Sequence, residues 1–144
     1  MNDKTIEQEI VAAGANVAPR VTPDDLKANI VAEYYFTARQ GVDGADLEAV
    51  RNAHPGDNVS IPPIEEEPGI WKTQIAPLEL LTFCVLVLRN GFTVTGESAC
   101  ASPENFNAEI GQRIARDNAV AKVWPLMGYA LKESMSADKI GGAA

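Results

Sequence analysis

Imidazole and thiol chemistry are nearly missing from this chain, which carries one histidine, His54, and two cysteines, Cys84 and Cys100. His54 stands directly before Pro55 in a turn-forming stretch and reads as a surface turn residue with no nucleophile beside it. The cysteines lack metal-ligand spacing and read as a reduced pair, with Cys84 a small buried hydrophobe. Carboxylates are plentiful, but Glu65, Glu66 and Glu67 are consecutive, so their side chains diverge as in a solvated acidic loop. Gly91 and Gly96 fall inside a predicted hairpin rather than between a strand and a helix, which excludes a phosphate-binding glycine loop. No catalytic residue, metal ligand or cofactor site is assigned, and an enzyme is not expected.

Basic residues are also few. Lys and Arg number 12 against 20 Asp and Glu, for a net charge of −8. Such a field repels phosphate backbones and anionic membranes, so neither a nucleic-acid polymer nor a membrane is an expected partner. Long hydrophobic runs are absent too. The longest, near Leu78 to Leu88, is strand-length and interrupted by Glu79 and Thr82, and the first residues lack a basic and then apolar pattern. Neither a membrane span nor a signal peptide is expected.

What the chain does have is one strong folding unit. Asn90-Gly91 between apolar runs is a hairpin signal, because a type I′ turn needs positive φ at both central residues. With these two residues central, Arg89 pairs with Phe92, Leu88 with Thr93, Val87 with Val94, Leu86 with Thr95, Val85 with Gly96, Cys84 with Glu97 and Phe83 with Ser98. Phe83, Val85, Val87, Phe92 and Val94 then form the core face. Thr82, Cys84, Leu86, Leu88, Thr93, Thr95 and Glu97 form a mixed face. An isolated ribbon is marginal, so another strand or a partner's hairpin is expected to complete the sheet.

Helix signals flank the hairpin. Thr22-Pro23-Asp24-Asp25 gives a cap, a proline at the first position and two carboxylates on the dipole, predicting a helix from Pro23 to about Arg39 that stops at Gly41. Its buried stripe is Leu26, Ile30, Val31, Tyr34 and Tyr35. Ala45–Ala53 is a weaker helix. Ser102-Pro103-Glu104 starts a helix running to Val123, with Phe106, Ile110, Ile114, Val120, Ala121 and Trp124 toward the hairpin. Pro125 interrupts it before a shorter segment from Leu126 to Ser134.

Between Asp57 and Pro77 the prolines Pro62, Pro63, Pro68 and Pro77 and the glutamate run predict an extended connection anchored by Trp71. It is either a variable insertion or a segment lying across a partner. The fold class is α+β: an antiparallel hairpin, open to extension, packed on two main helices. Residues 1–20 read as a loose arm or short helix, 21–135 as a single domain and 136–144 as a frayed tail. Apolar surface on Leu86, Leu88 and the Trp71 segment predicts a homo-oligomer.

One constellation is chemically suggestive. The Pro103 helix start offers backbone donors, Asn105 lies in its first turn, and Arg113 and Arg116 follow on one side; together they suit a small anion. Tyr34 and Tyr35 are candidate stacking rings for a base. The competing reading makes both arginines surface charges satisfied by Glu109, Asp117 and solvent, and Tyr34-Tyr35-Phe36 a core stripe plus one exposed ring.

The stretch from Leu81 to Ala119, LTFCVLVLRNGFTVTGESACASPENFNAEIGQRIARDNA, resembles the gp-forty-nine/gp-sixty-six group of small bacteriophage proteins, known from N-four-like and Shigella-phage-like genomes. KVWPLMGYAL from Lys122 and VTPDDLKANIVAEYYFTA from Val21 share that resemblance. It implies an accessory phage protein acting in the infected host's cytoplasm, and supplies no catalytic residues. By analogy with phage proteins of similar build that sequester signalling nucleotides, a cyclic or ADP-ribose-type nucleotide is the expected ligand, with phosphates at Arg113, Arg116 and Asn105. The alternative is an interaction module that masks a host protein through the acidic run at Glu65 to Glu67 and its apolar surface.

Overall fold

The computed structural model describes residues 3–58, 69 and 71–142, with side chains at 3–58, 69 and 72–138. Its elements are α1 (Asp3–Ala12), α2 (Pro23–Asn29), β1 (Ile30–Thr37), α3 (Ala38–Ala53), β2 (Leu81–Leu88), β3 (Thr93–Ala99) and α4 (Ala108–Gly142). A π turn spans Trp71–Ile75, and 3-10 turns span Ala76–Leu80 and Pro103–Asn105. The fold is α+β, with an antiparallel sheet in the order β1-β2-β3. The acidic run at Glu65 to Glu67 and most of the proline-rich connection lie outside the described residues, as does the side chain of Trp71.

The expected long helix from Pro23 is corrected to a short helix followed by a strand. Thr22 caps α2 as foreseen: its Oγ1 accepts from Asp25 N–H at 3.1 Å, and Asp25 Oδ2 accepts from Thr22 N–H at 2.9 Å. The helix nevertheless ends at Asn29, because Ile30–Thr37 is a run of β-branched and aromatic residues suited to a pleated surface. Arg89 N–H donates to the Asn29 carbonyl at 2.9 Å, placing β1 beside β2. This strand is the one the marginal hairpin needed. The expected helical stripe therefore breaks up: Leu26 is buried, while Val31 is 60% and Tyr34 59% exposed. Gly41 does not stop a helix; it lies in α3, where the position of a Cβ is 3.6 Å from the Phe36 ring.

The hairpin forms, but one residue away from the expected register. Leu88 N–H donates to the Phe92 carbonyl and Gly91 N–H to the Leu88 carbonyl, both at 2.8 Å. At the far end Cys100 N–H donates to the Leu80 carbonyl at 2.9 Å. Both ends pair Leu88 with Phe92, and hence Leu86 with Val94, Cys84 with Gly96 and Thr82 with Ser98. The loop holds three residues, Arg89-Asn90-Gly91. Among the described residues only glycines have positive φ, and Gly91 has φ 89°. This is the turn-plus-bulge hairpin rather than type I′. Asn90 Oδ1 accepts from Phe92 N–H at 2.9 Å, closing the turn from its side chain.

A slip of one residue exchanges the faces of a strand. Thr82, Cys84, Leu86 and Leu88 are the buried side of β2, and Phe83, Val85 and Val87 the half-buried side. The core and mixed faces of β2 expected from sequence are therefore swapped.

The chain divides into two compact units. In the first, comprising Met1–Glu33, Leu86–Val94 and Ala119–Ala144, the buried residues are Leu26, Leu86, Leu88, Val94, Ala119 and Val123. In the second, comprising Tyr34–Val85 and Thr95–Asn118, Cys84 and Ala115 are fully buried, and Thr82 lies under Gly111. A Cβ at Gly111 would come within 3.1 Å of Thr82 Oγ1, so glycine allows this close approach. The inward stripe of α4 is thus Gly111, Ala115, Ala119 and Val123, each four residues apart. Ile110 and Ile114, expected to face the hairpin, are 48% and 45% exposed. In this unit Asn118 Nδ2 also donates to the carbonyl of Glu97 on β3 at 2.8 Å.

Pro125 does not end α4, which continues to Gly142. Its start is also displaced: Pro103–Asn105 is a separate 3-10 turn, and Asn107 caps the helix by accepting from Ile110 N–H at 3.0 Å. In the first unit α1 is held by a two-pronged ion pair. Arg20 Nη1 and Nη2 donate to Glu7 Oε1 and Oε2 at 2.7 and 2.6 Å. Asp3, Ile6, Glu7 and Ile10 face Arg20, Val21, Pro23 and Trp124 across a cavity of about 310 Å³.

Two outcomes test this account. Gly91→Val should lower stability by about 1–3 kcal/mol in denaturant titrations, because a β-branched residue is strained at positive φ. Asn90→Gly separates the registers. It should cost about 0.5–1 kcal/mol here, since Asn90 is not left-handed, whereas a type I′ turn would gain from it.

The Glu7 carboxyl is held below its ordinary 4.5, first by the Arg20 hydrogen bond and then by its charge, against partial desolvation. A depressed carboxylate contributes above its ordinary value and loses that contribution as pH falls through the lowered one. Trp124 fluorescence in a Trp71→Phe background should therefore report release of α1 only below pH 4.5. Asp3 lines the same cavity and Asp25 adds to the field at Arg20, so Arg20→Ala is the control that should abolish the transition.

Candidate functional site

Because the sheet is antiparallel, the end of β1, the entrance to β2 and the exit from β3 meet at one end. Within the second unit these three connections enclose a cleft of about 450 Å³, lined by Thr37, Arg39, Gln40, Glu79, Leu80, Pro103 and Phe106. Its frame is hydrogen-bonded on each side. Thr37 caps α3 through a reciprocal box: Thr37 Oγ1 accepts from Gln40 N–H at 3.2 Å, and Gln40 Oε1 accepts from Thr37 N–H at 2.9 Å. The bond from Cys100 N–H to the Leu80 carbonyl ties the exit of β3 to the entrance of β2. Phe36 stacks on Phe83, with ring centroids 5.5 Å apart and planes at 26°.

The polar wall belongs to a fixed cation. Arg39 Nε donates to Asp43 Oδ1 and Oδ2 at 3.1 and 3.0 Å, one helical turn along α3, and its side chain is 18% exposed. Glu79 Oε1 stands 4.0 Å from Arg39 Nη1, with the Glu79 side chain 52% exposed. The guanidinium is thus matched by one carboxylate behind it and a second at the mouth. Opposite lie Leu80, Pro103 and Phe106, an apolar wall with one aromatic ring.

None of the residues proposed from sequence is among the described residues that line this cleft. Asn105 is exposed in the 3-10 turn, between Pro103 and Phe106, rather than in the first turn of the helix. Arg113 is exposed on α4, and Arg116 is half-buried rather than solvent-facing. Tyr34 and Tyr35 are consecutive in β1, so their rings leave opposite faces of the strand. Tyr34 is exposed and Tyr35 half-buried.

Sequence reasoning missed Thr37, Arg39, Gln40 and Glu79. The signal was present: Thr37-Ala38-Arg39-Gln40 is a capping box, and would have ended the preceding element and started α3 at the cleft. Among the described residues no cluster of His, Cys, Asp and Glu suits a metal ion, and no helix is long and apolar enough to cross a membrane.

These features define a small α+β protein with a three-stranded antiparallel sheet, a helix packed on it through small residues, and a ligand-sized cleft at one sheet end. Residues 21–135 match the model of the phage protein (N4 Gp49/phage Sf6 gene 66) family, and the chain belongs to that family. No curated protein and no solved structure matches it.

Removing the cap that frames the cleft should be measurable. Thr37→Ala should destabilise the protein by about 0.5–2 kcal/mol in urea titrations, the usual loss for an N-cap hydroxyl, whereas Thr37→Ser should keep most of the stability.

Proposed function

We propose that this phage protein acts in the infected host's cytoplasm by sequestering a small cyclic or ADP-ribose-type signalling nucleotide, so countering host defence. The observation that supports this most is the cleft at the sheet end, whose volume lies within the range of about 300–1,000 Å³ usual for small-molecule sites. The turn from Pro103 to Phe106 leads from it into α4, which carries Arg113 and Arg116. In a chain of net charge −8, a dianion needs such a local pair of guanidinium groups. Asn105 is exposed in that turn, and Tyr34 supplies an exposed ring for stacking.

Binding without turnover is the natural role of such a site. Among its described residues the cleft offers a cation, a carboxylate, an amide and a ring, and no nucleophile paired with a base.

A second reading has its own observation. Ile110 and Ile114 form an exposed apolar pair four residues apart on α4, next to Arg113, and suit a protein partner, either a host chain to be masked or a second copy of this one.

Calorimetric titration against cyclic dinucleotides, cyclic trinucleotides and cyclic ADP-ribose isomers separates the readings. Charge-assisted contacts are worth roughly 1.5–3 kcal/mol each, so Arg113→Ala with Arg116→Ala should weaken binding by two orders of magnitude or more, and Arg113→Ala alone, at an exposed position, should weaken it with the fold intact. Absence of binding across the panel would overturn sequestration and favour the protein partner.

A further inference from the structure

The cleft and the arginine pair differ in charge, and that difference says which part of a nucleotide each receives. Among the described residues that line the cleft the cation is Arg39, engaged at Nε by both oxygens of Asp43, and Glu79 adds a second carboxylate at the mouth. These carboxylates offset the guanidinium, so the described lining carries no net positive charge to attract a phosphate. A neutral group with hydrogen-bond donors is favoured instead.

The inventory of unspent groups narrows the chemistry. Gln40 Oε1 is committed to Thr37 N–H and Thr37 Oγ1 to Gln40 N–H, which leaves the Gln40 amide nitrogen as a donor. Glu79 is half exposed, 4.0 Å from its one charged neighbour, and keeps most of its acceptor capacity. Leu80, Pro103 and Phe106 present an apolar surface for a flat ring. The cleft therefore combines a stacking wall, a carboxylate acceptor and an amide donor.

We propose that this cleft receives the base of the nucleotide, and that it selects a planar heterocycle whose edge presents two adjacent N–H donors, as guanine does, to the Glu79 carboxylate. Guanine offers N1–H and the 2-amino group side by side, with O6 next to them as acceptor for the Gln40 amide. Adenine offers one exocyclic donor beside the bare lone pair of N1, which would oppose the carboxylate. Facing adenine, the carboxylate keeps one hydrogen bond and meets the N1 lone pair in place of the second, so the two-donor edge is preferred. The phosphates of the same ligand remain outside, toward Arg113 and Arg116.

This inference rests on the nucleotide reading above, and nucleosides without phosphate test it separately. Guanosine, adenosine, GMP and AMP are titrated up to millimolar concentrations into the full-length protein and into Glu79→Gln, Glu79→Asp and the Arg113→Ala, Arg116→Ala double variant. Guanosine is expected to bind at least tenfold tighter than adenosine. Glu79→Gln, which replaces an acceptor by a donor and removes the charge, should erase that preference, and Glu79→Asp should restore part of it. Thermal melts should be unchanged in Glu79→Gln, since Glu79 is half exposed. The double arginine variant should lose affinity for GMP but not for guanosine.

Equal binding of guanosine and adenosine, no binding of either, or a guanosine preference that survives Glu79→Gln would each overturn the base assignment. Cyclic nucleotides that bind through Arg113 and Arg116 with no base preference would leave sequestration standing while the base assignment fell. Guanosine binding that depends on Glu79, with no cyclic nucleotide bound, would support the cleft assignment and count against sequestration.

Discussion

The pairing of Leu88 with Phe92 across Gly91 is the constraint on which the structure depends. Closing the hairpin through three residues rather than two decides which side of β2 is covered, and everything packed on the sheet follows from that choice. With Thr82, Cys84, Leu86 and Leu88 inward, the helix beneath must come close, and α4 does so with Gly111 over Thr82 in one unit and Ala119 and Val123 buried in the other. Larger residues on that stripe would hold the helix away. Ile110 and Ile114 are consequently turned outward, since a helix burying positions 111, 115 and 119 cannot also bury 110 and 114 fully. The same register brings Leu80 opposite Cys100, and so shapes the end of the sheet where the cleft lies.

How much of this was legible varies by element, for definite reasons. The hairpin was readable from Asn90-Gly91, but its register was not. Glu97 marks the outer side of β3, yet β2 is apolar on both sides, with Phe83, Val85 and Val87 as hydrophobic as Cys84, Leu86 and Leu88. Alternation therefore could not choose between two-residue and three-residue turns. On α4 the signal was a stripe of small residues at intervals of four, hidden by the bulkier isoleucines beside it. The start of α2 was plain in Thr22-Pro23, whereas β1 was concealed because Ile30, Tyr34 and Tyr35 also satisfy a helical period. Only the competing capping box at Thr37 and Gln40 marked the change.

The lining of the cleft was not legible as a site. Arginines on α4 could be singled out from charge, because a strongly acidic chain makes local basic density conspicuous. The cleft could not, since it is assembled from three connections distant in sequence, and Arg39 stood within what read as a helix end. Antiparallel topology is what joins them: it places the exit of β1, the entrance of β2 and the exit of β3 at one edge, where loops on a rigid scaffold commonly carry binding residues.

The two units differ in how firmly their elements are held. The cleft is framed by the Thr37–Gln40 box, the Cys100–Leu80 bond and the Asn107 cap, so its walls are ordered before any ligand arrives. Ordering a side chain on binding costs about 0.5–1.5 kcal/mol, and a preformed wall avoids much of that cost. In the first unit α1 has no fully buried residue and is attached by the Glu7–Arg20 pair, whose members are a quarter exposed. Such a pair contributes modestly, so α1 is held more weakly than the elements that frame the cleft. The cleft lies within the family-matched residues 21–135, and α1 precedes them.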